Sequence, residues 1–352
     1  MSNAERAAAT SLDREPLAAG PAAARDALRT APDVVREQLR SILRDLDRPD
    51  VPAPDIAAAR LPELVFAAQT QREFCYLGRA RVAPYRDRAQ QLIAHAVGRG
   101  EPVHYCLDIG GGYHASLRPG SEELSFGPGL GELLLLRQIR RFDTRVRGLY
   151  PPGTRFSLVI DNLVAWFVND IAILSTENFC ARLRDLIAHA GMAGLVELWV
   201  ESEHLAAADF EELRPTYRVA PDADALTGKD HDTIERFLGR RCDRTEAALR
   251  AARYQEITAV SGELIDRRLD GLRMTQRATA ETICFRPFPG ADSRIQSGEV
   301  ALCTATDGHL RPLLLTSHNQ HLYNWYRIDF SAMLPAAIEQ VICADPLVRP
   351  SI

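Results

Sequence analysis

Between residue 102 and about residue 204 the chain alternates apolar runs of strand length with longer amphipathic ones, and this alternation most constrains the fold. The short runs are "PVHYCLDI", "RFSLVID" and "GLVELWVES". Between them lie "GELLLLRQIRRFDTRVRGLY" and "STENFCARLRDLIAHAG", whose apolar residues recur at helical spacing. Apolar strands separated by helices imply a largely parallel sheet, because parallel strands need crossover connections that also cover the sheet. In "YPPGTR", Pro151 and Pro152 fix φ and Gly153 closes a turn. Ser175 or Thr176 is expected to cap the second helix and Gly191 to end it.

The flanks read differently. Residues 1–30 are rich in Ala, Arg and Pro without a sustained apolar period, and a disordered lead is expected. Residues 31–100 read as an N-terminal helical segment, with helices near 34–46, 62–76 and 85–98. After the α/β core at 101–204, residues 205–275 turn polar and helical, with "DRTEAALRAARYQEITAVSGELIDRRL" as the strongest helix. Residues 276–352 carry short β-branched or apolar runs between Gly, Pro and Asp-Gly turns. They read as a β-rich part completing the catalytic domain, with a short helix at 331–340. The expected fold class is α/β: a Rossmann-like, mostly parallel sheet covered by helices, with a helical insertion and a C-terminal, mostly antiparallel β unit.

Charge narrows the partners. A net charge of −5 over 352 residues argues against a nucleic-acid binder, which needs a concentrated basic face. No stretch approaches the roughly 18 apolar residues of a membrane span. A small-molecule partner is therefore expected, with a homodimer open to the chain. The seven cysteines are scattered, with no C-x-x-C and no Cys/His cluster at zinc spacing. A reducing, cytoplasmic setting and no metal are expected. His318-x-x-His321 lacks an evident third ligand. Lys229 is the single lysine, so a Schiff-base step through an enzyme lysine would have to use it.

"YCLDIGGGYHAS" raises a sharper question, because Gly110-x-Gly112-x-x-Ala115 matches the literal pattern of a dinucleotide loop. Such a loop works when a helix N-terminus follows at once and holds the pyrophosphate. Here Pro119-Gly120 and Gly127-Pro128-Gly129 break the chain, and the next convincing helix begins near Leu130. The expectation is therefore no cofactor. An S-adenosylmethionine-dependent methyltransferase using the Asp108-Gly loop is an alternative.

The order of motifs is similar to the isocyanide (isonitrile) synthases, also called the pyoverdine/dityrosine biosynthesis proteins. The matching residues are Gly129-Leu130-Gly131-Glu132, Tyr150-Pro151-Pro152-Gly153, Ile160-Asp161-Asn162 and Asp170, followed by "TICFRPFPGADSRIQSGEVAL". The likeness runs in order over about residues 85–330. It departs where the family carries Phe-Pro-x-Lys-Ser-Pro-Asn and this chain has "GGGYHASLRPGSEE", with Arg118 the nearest cation. The resemblance implies a natural-product enzyme that joins the amine of an amino acid to ribulose 5-phosphate by imine formation and acid/base fragmentation. A non-catalytic relative within a biosynthetic assembly is a further alternative.

Site candidates follow from position and chemistry. Asp161 stands at the end of a buried strand, where ligands bind in open α/β sheets, and could act as general base or hold an ammonium. Glu132 could reach the same cleft from the first turn of its helix, or simply favour the helix dipole there. His114 suits proton transfer near neutral pH, and Arg118 suits a phosphate or carboxylate. Arg286 lies inside an apolar run, where it needs a partner or a ligand. Arg294, Asp108 and Tyr113 complete the expected substrate-binding set.

Overall fold

The computed structural model describes residues 56–75, 82–109, 128–238, 240–275, 283–288, 300–304 and 309–314, with short pieces at 37–38, 40–42, 44–46, 325–326, 328–329 and 342–343. Structural statements here concern those residues.

Five parallel strands form the central sheet: β1 (Val103–Ile109), β2 (Thr154–Ile160), β3 (Val196–Val200), β4 (Leu272–Thr275) and β5 (Ile283–Cys284). Their spatial order is β3-β2-β1-β4-β5. The chain steps outward from β1 to β3, then returns across the molecule to lay β4 against the other edge of β1, a doubly wound arrangement. Tyr105 pairs with Phe156 on one side and with Leu272 on the other.

Side-chain alternation gives the sheet two unlike faces. Tyr105, Leu107 and Ile109 of β1 point with Phe156, Leu158 and Ile160 of β2 into the main core. That face is covered by α1 (Leu61–Gln69), α2 (Arg86–Arg99), α3 (Leu130–Arg147) and, after the short α4 (Asn162–Phe167), α5 (Ile173–His189). The other face carries His104, Cys106, Asp108, Ser157, Glu197 and Arg273, with Val159 and Trp199 as its apolar part. It is reached through α6 (Glu201–His204) and α7 (Ala207–Tyr217), then α8 (Gly228–Leu238) and the 25-residue α9 (Arg244–Arg268). Val260, Leu264 and Ile265 of α9 pack with Leu213 of α7 on Val159 and Trp199.

Several local expectations hold in the structure. The first described helix after β1 opens at Leu130, and the strongest expected helix is α9, which Asp243 caps through its carboxylate and the Glu246 N–H. Gly191 follows α5 at φ 63°, a left-handed turn that suits glycine. The Ser175/Thr176 cap is corrected. Helix α5 opens at Ile173 with Ala172 as its cap, and Thr176 instead accepts from Trp166 Nε1 at 2.6 Å and donates to the Ile173 carbonyl at 2.8 Å. Two strands were misplaced. β4 comes from the stretch expected to be helical, and β5 pairs parallel with β4 instead of joining the antiparallel unit. That unit begins with β6 (Val300–Thr304) and β7 (Leu310–Leu314), an antiparallel pair, with β8 (Trp325–Tyr326) on the other edge of β6. β9 (Ile328–Asp329) and β10 (Ile342–Cys343) form a further antiparallel pair. The expected helix at 331–340 lies outside the described residues.

The Tyr150–Gly153 turn has a definite physical basis. Gly153 sits at φ 71°, and a Cβ there would lie 2.6 Å from Asp143 Oδ1 and 2.7 Å from Arg147 Cγ. Asp143 is buried, and its Oδ1 accepts from both the backbone N–H and the hydroxyl of Thr154 at 2.8 Å, which fixes the first residue of β2 against α3. Gly153→Ala is therefore expected to lose about 2–4 kcal/mol, from left-handed strain plus overpacking. A lowered urea midpoint at unchanged m-value is the check.

Candidate active site at the carboxyl ends of the strands

In a doubly wound sheet the ligand crevice lies outside the carboxyl ends of the strands, where the strand order reverses. Here that point falls between β1 and β4. Asp108 is the penultimate residue of β1, Asp161 follows β2 directly, and Glu201 follows β3 directly. Three adjacent strands thus each deliver a carboxyl group to one end of the sheet.

The exits of β2 and β3 are clamped together. Asn162 Nδ2 donates to Ser202 Oγ at 2.6 Å, and the Ser202 backbone N–H returns a bond to Asn162 Oδ1 at 3.1 Å. The preceding residues, Asp161 and Glu201, are held side by side as a result. Asp161 is partly exposed, whereas Glu201 is buried at 3% exposure. Burial pushes the Glu201 carboxyl well above its ordinary range, and the charge of Asp161 and then that of Asp108 add to the shift. Ser261 of α9 and the Leu163 backbone oppose it only in part. Glu201 Oε2 is buried without a hydrogen-bond partner. Burial in that position favours the protonated form of the carboxyl.

Arg273, on β4 across the switch point, supplies the positive charge. Its guanidinium lies 3.1 Å from Asp108 Oδ2 and 3.1 Å from Asp266 Oδ1 of α9. Burial works against its charge, and the two carboxylates outweigh that effect.

The sequence-derived candidates separate in the structure. Asp108 and Asp161 stand at the carboxyl ends of β1 and β2. Glu132 is buried in the first turn of α3, where Oε2 accepts the Gly129 N–H at 2.7 Å, so its carboxylate caps its own helix. Arg286 follows β5, and its backbone N–H donates to the Phe74 carbonyl at 2.7 Å. Tyr113, His114, Arg118 and Arg294 lie outside the described residues, as does His318-x-x-His321. Asp170 adopts φ 54° and pairs with Arg250 of α9 at 2.6 Å, which ties the α4–α5 connection to the second face. Lys229 is exposed in the first turn of α8.

Glu201, Asn162, Ser202, Ser261 and Arg273 went unread as site residues. A signal existed for Glu201, since "WVES" repeats the strand-then-acid pattern of "LVIDN". Arg273 gives no such signal, because the four residues of β4 continue a polar, helical stretch in the sequence.

The fold and these residues define a doubly wound α/β protein with three carboxyl groups gathered at the carboxyl end of its sheet. Among solved structures it is similar to the PvcA protein from Pseudomonas aeruginosa, with a TM-score of 0.56 and 18% identity over 73% of this chain and 92% of that one. At that identity the likeness is one of fold. No family model and no curated protein matches the chain. Among the described residues no helix is long and apolar enough to cross a membrane.

Proposed function

We propose that this chain is a biosynthetic enzyme of isonitrile-synthase type, working on the amino group of an amino acid in the crevice at the ends of β1–β4. The observation that carries the reading is the clamped pair of carboxyl groups, Asp161 partly open and Glu201 buried, beside the switch point. The order of motifs from Gly129 to Asp170 and the shared PvcA fold support it.

The chemistry needs both groups. An amino acid enters as an ammonium and must lose a proton before its nitrogen can attack a ketone. Asp161 is placed to hold the ammonium and accept that proton. Collapse of the carbinolamine to an imine expels the former ketone oxygen as water, which requires a proton donor. Glu201 supplies it, because burial favours the protonated form of its carboxyl, and that form is suited to act as acid. Two carboxyls in unlike environments thereby divide the roles of base and acid. Ribulose 5-phosphate is the ketose this reading assigns, and Arg118 is the cation assigned to its phosphate. The substrate's own nitrogen forms the bond, so the exposed Lys229 has no covalent part.

The test is incubation of the protein with L-amino acids and ribulose 5-phosphate, read by mass spectrometry. An isonitrile whose carbon derives from C2 of a labelled ketose is expected. Consumption of neither reagent with any amino acid would overturn the reaction.

A further inference from the structure

A second group of reactive side chains lies away from the crevice, in the turn between α8 and α9. His231 and Glu235 are four residues apart in α8, so they share one face of that helix. The chain then folds back and brings Cys242 against them. Cys242 N–H donates to Glu235 Oε1 at 3.1 Å, its carbonyl lies 2.9 Å from His231 Nε2, and its Sγ lies 3.9 Å from the same nitrogen. One ligand atom from each residue falls within 4.8 Å of the others, and all three residues are partly buried.

We propose that His231, Glu235 and Cys242 form a binding site for a divalent ion of the zinc class, which pins the α8–α9 turn. The donor set is the first reason. One imidazole, one carboxylate and one thiolate suit borderline-soft, tetrahedral zinc, and the two anions balance its charge. Geometry is the second. A tetrahedral ion with ordinary Zn–N and Zn–S bonds separates those two ligand atoms by about 3.6 Å, close to the separation present here.

Neighbouring charges permit the ion. Arg241 pairs with Glu235 Oε2 at 2.9 Å but is itself 91% exposed, so water screens it, and Oε1 faces the cluster. Arg240 is engaged by Glu246.

The His231 ring faces a carbonyl, which can only accept, so its neutral form carries the proton on Nε2, and binding moves that proton to Nδ1, a neutral tautomer change.

The role is structural. The cluster sits at the start of α9, whereas Ser261, which faces Glu201, lies about 25 Å farther along that helix at 1.5 Å per residue. The ion is too far away to touch the crevice chemistry.

Titrating the chelator-stripped full chain with Co²⁺ tests the site. The expected result is one equivalent bound with a thiolate-to-cobalt charge-transfer band. The band should vanish in Cys242→Ala, and affinity should fall at least about 100-fold in His231→Ala, beyond the usual loss from an outer-shell change. Zinc should raise the unfolding midpoint of the wild type and leave that of Cys242→Ala in place. Absence of the band, or a band that survives in Cys242→Ala, would overturn the site. If Cys242→Ala does not fold, Cys242→Ser and His231→Ala decide by the same readings.

Discussion

Glu201→Gln is expected to lower turnover by about 10²–10⁴-fold, the usual worth of a positioned general acid, while the fold stays intact. Glutamine has the shape of a protonated glutamate, so the buried site accepts it without a cavity. It cannot donate a proton to a departing oxygen. Stability should move the other way from activity. The native carboxyl holds its proton above the ordinary value of 4.5, whereas the unfolded chain has released it there. Between that pH and the raised native value the folded state binds the extra proton, so wild-type stability falls as pH rises through the window. Glu201→Gln has no such titration. The variant should match the wild type in acid and become the more stable protein as pH increases. Urea midpoints measured over a pH series, together with turnover at neutral pH, check both halves. If stability rises with turnover unchanged, Glu201 is buried for packing alone.

Phe142→Ala is expected to cost about 3–5 kcal/mol, the range for removing a fully buried aromatic ring. Phe142 of α3 has no solvent exposure. Its ring centroid lies 5.1 Å from that of Phe74, 5.4 Å from Tyr105, 6.0 Å from Phe156 and 6.1 Å from Phe285, all edge-on. One ring thus joins the N-terminal helical segment, β1, β2 and the residue after β5. Edge-to-face pairs add to burial, and no neighbour in such a cluster can move inward without leaving another. Chemical denaturation should show the loss as a lower midpoint. A cost below 1 kcal/mol would mean that these segments do not share one core.

Legibility in the sequence followed burial pattern. β1, β2 and β3 could be read because the residues they turn to the main core, such as Tyr105, Leu107 and Ile109 or Phe156, Leu158 and Ile160, are apolar at every second position. α9 could be read because its length outweighs local noise. β4 escaped because Leu272–Thr275 is only four residues long and places Arg273 on the polar face, which breaks the apolar run. β5 escaped because two residues carry no period. The same polar face explains the unread part of the crevice. Arg273, Ser261 and Glu201 come from three distant stretches, and only the return of the chain from β3 to β4 gathers them. Asp161 was legible because it ends an unbroken apolar strand. The place of Glu132 in a first turn was legible, and its Oε2 accepts the Gly129 N–H. His231, Glu235 and Cys242 were passed over because their spacing matches no zinc pattern, and only the fold-back after α8 joins them.

Two places compete for a substrate. One is the end of the sheet where Asp108, Asp161 and Glu201 stand. The other lies at the opposite end of the sheet, lined by His104, Arg155, Glu197, Arg268 and Asp270, where His104 Nε2 is 2.8 Å from Ser157 Oγ. Determining the structure with the consumed amino acid bound separates them most directly. Its ammonium is expected against Asp161, beside Glu201, at the carboxyl ends of β2 and β3. An amino acid seated instead between His104 and Arg155 would contradict that placement.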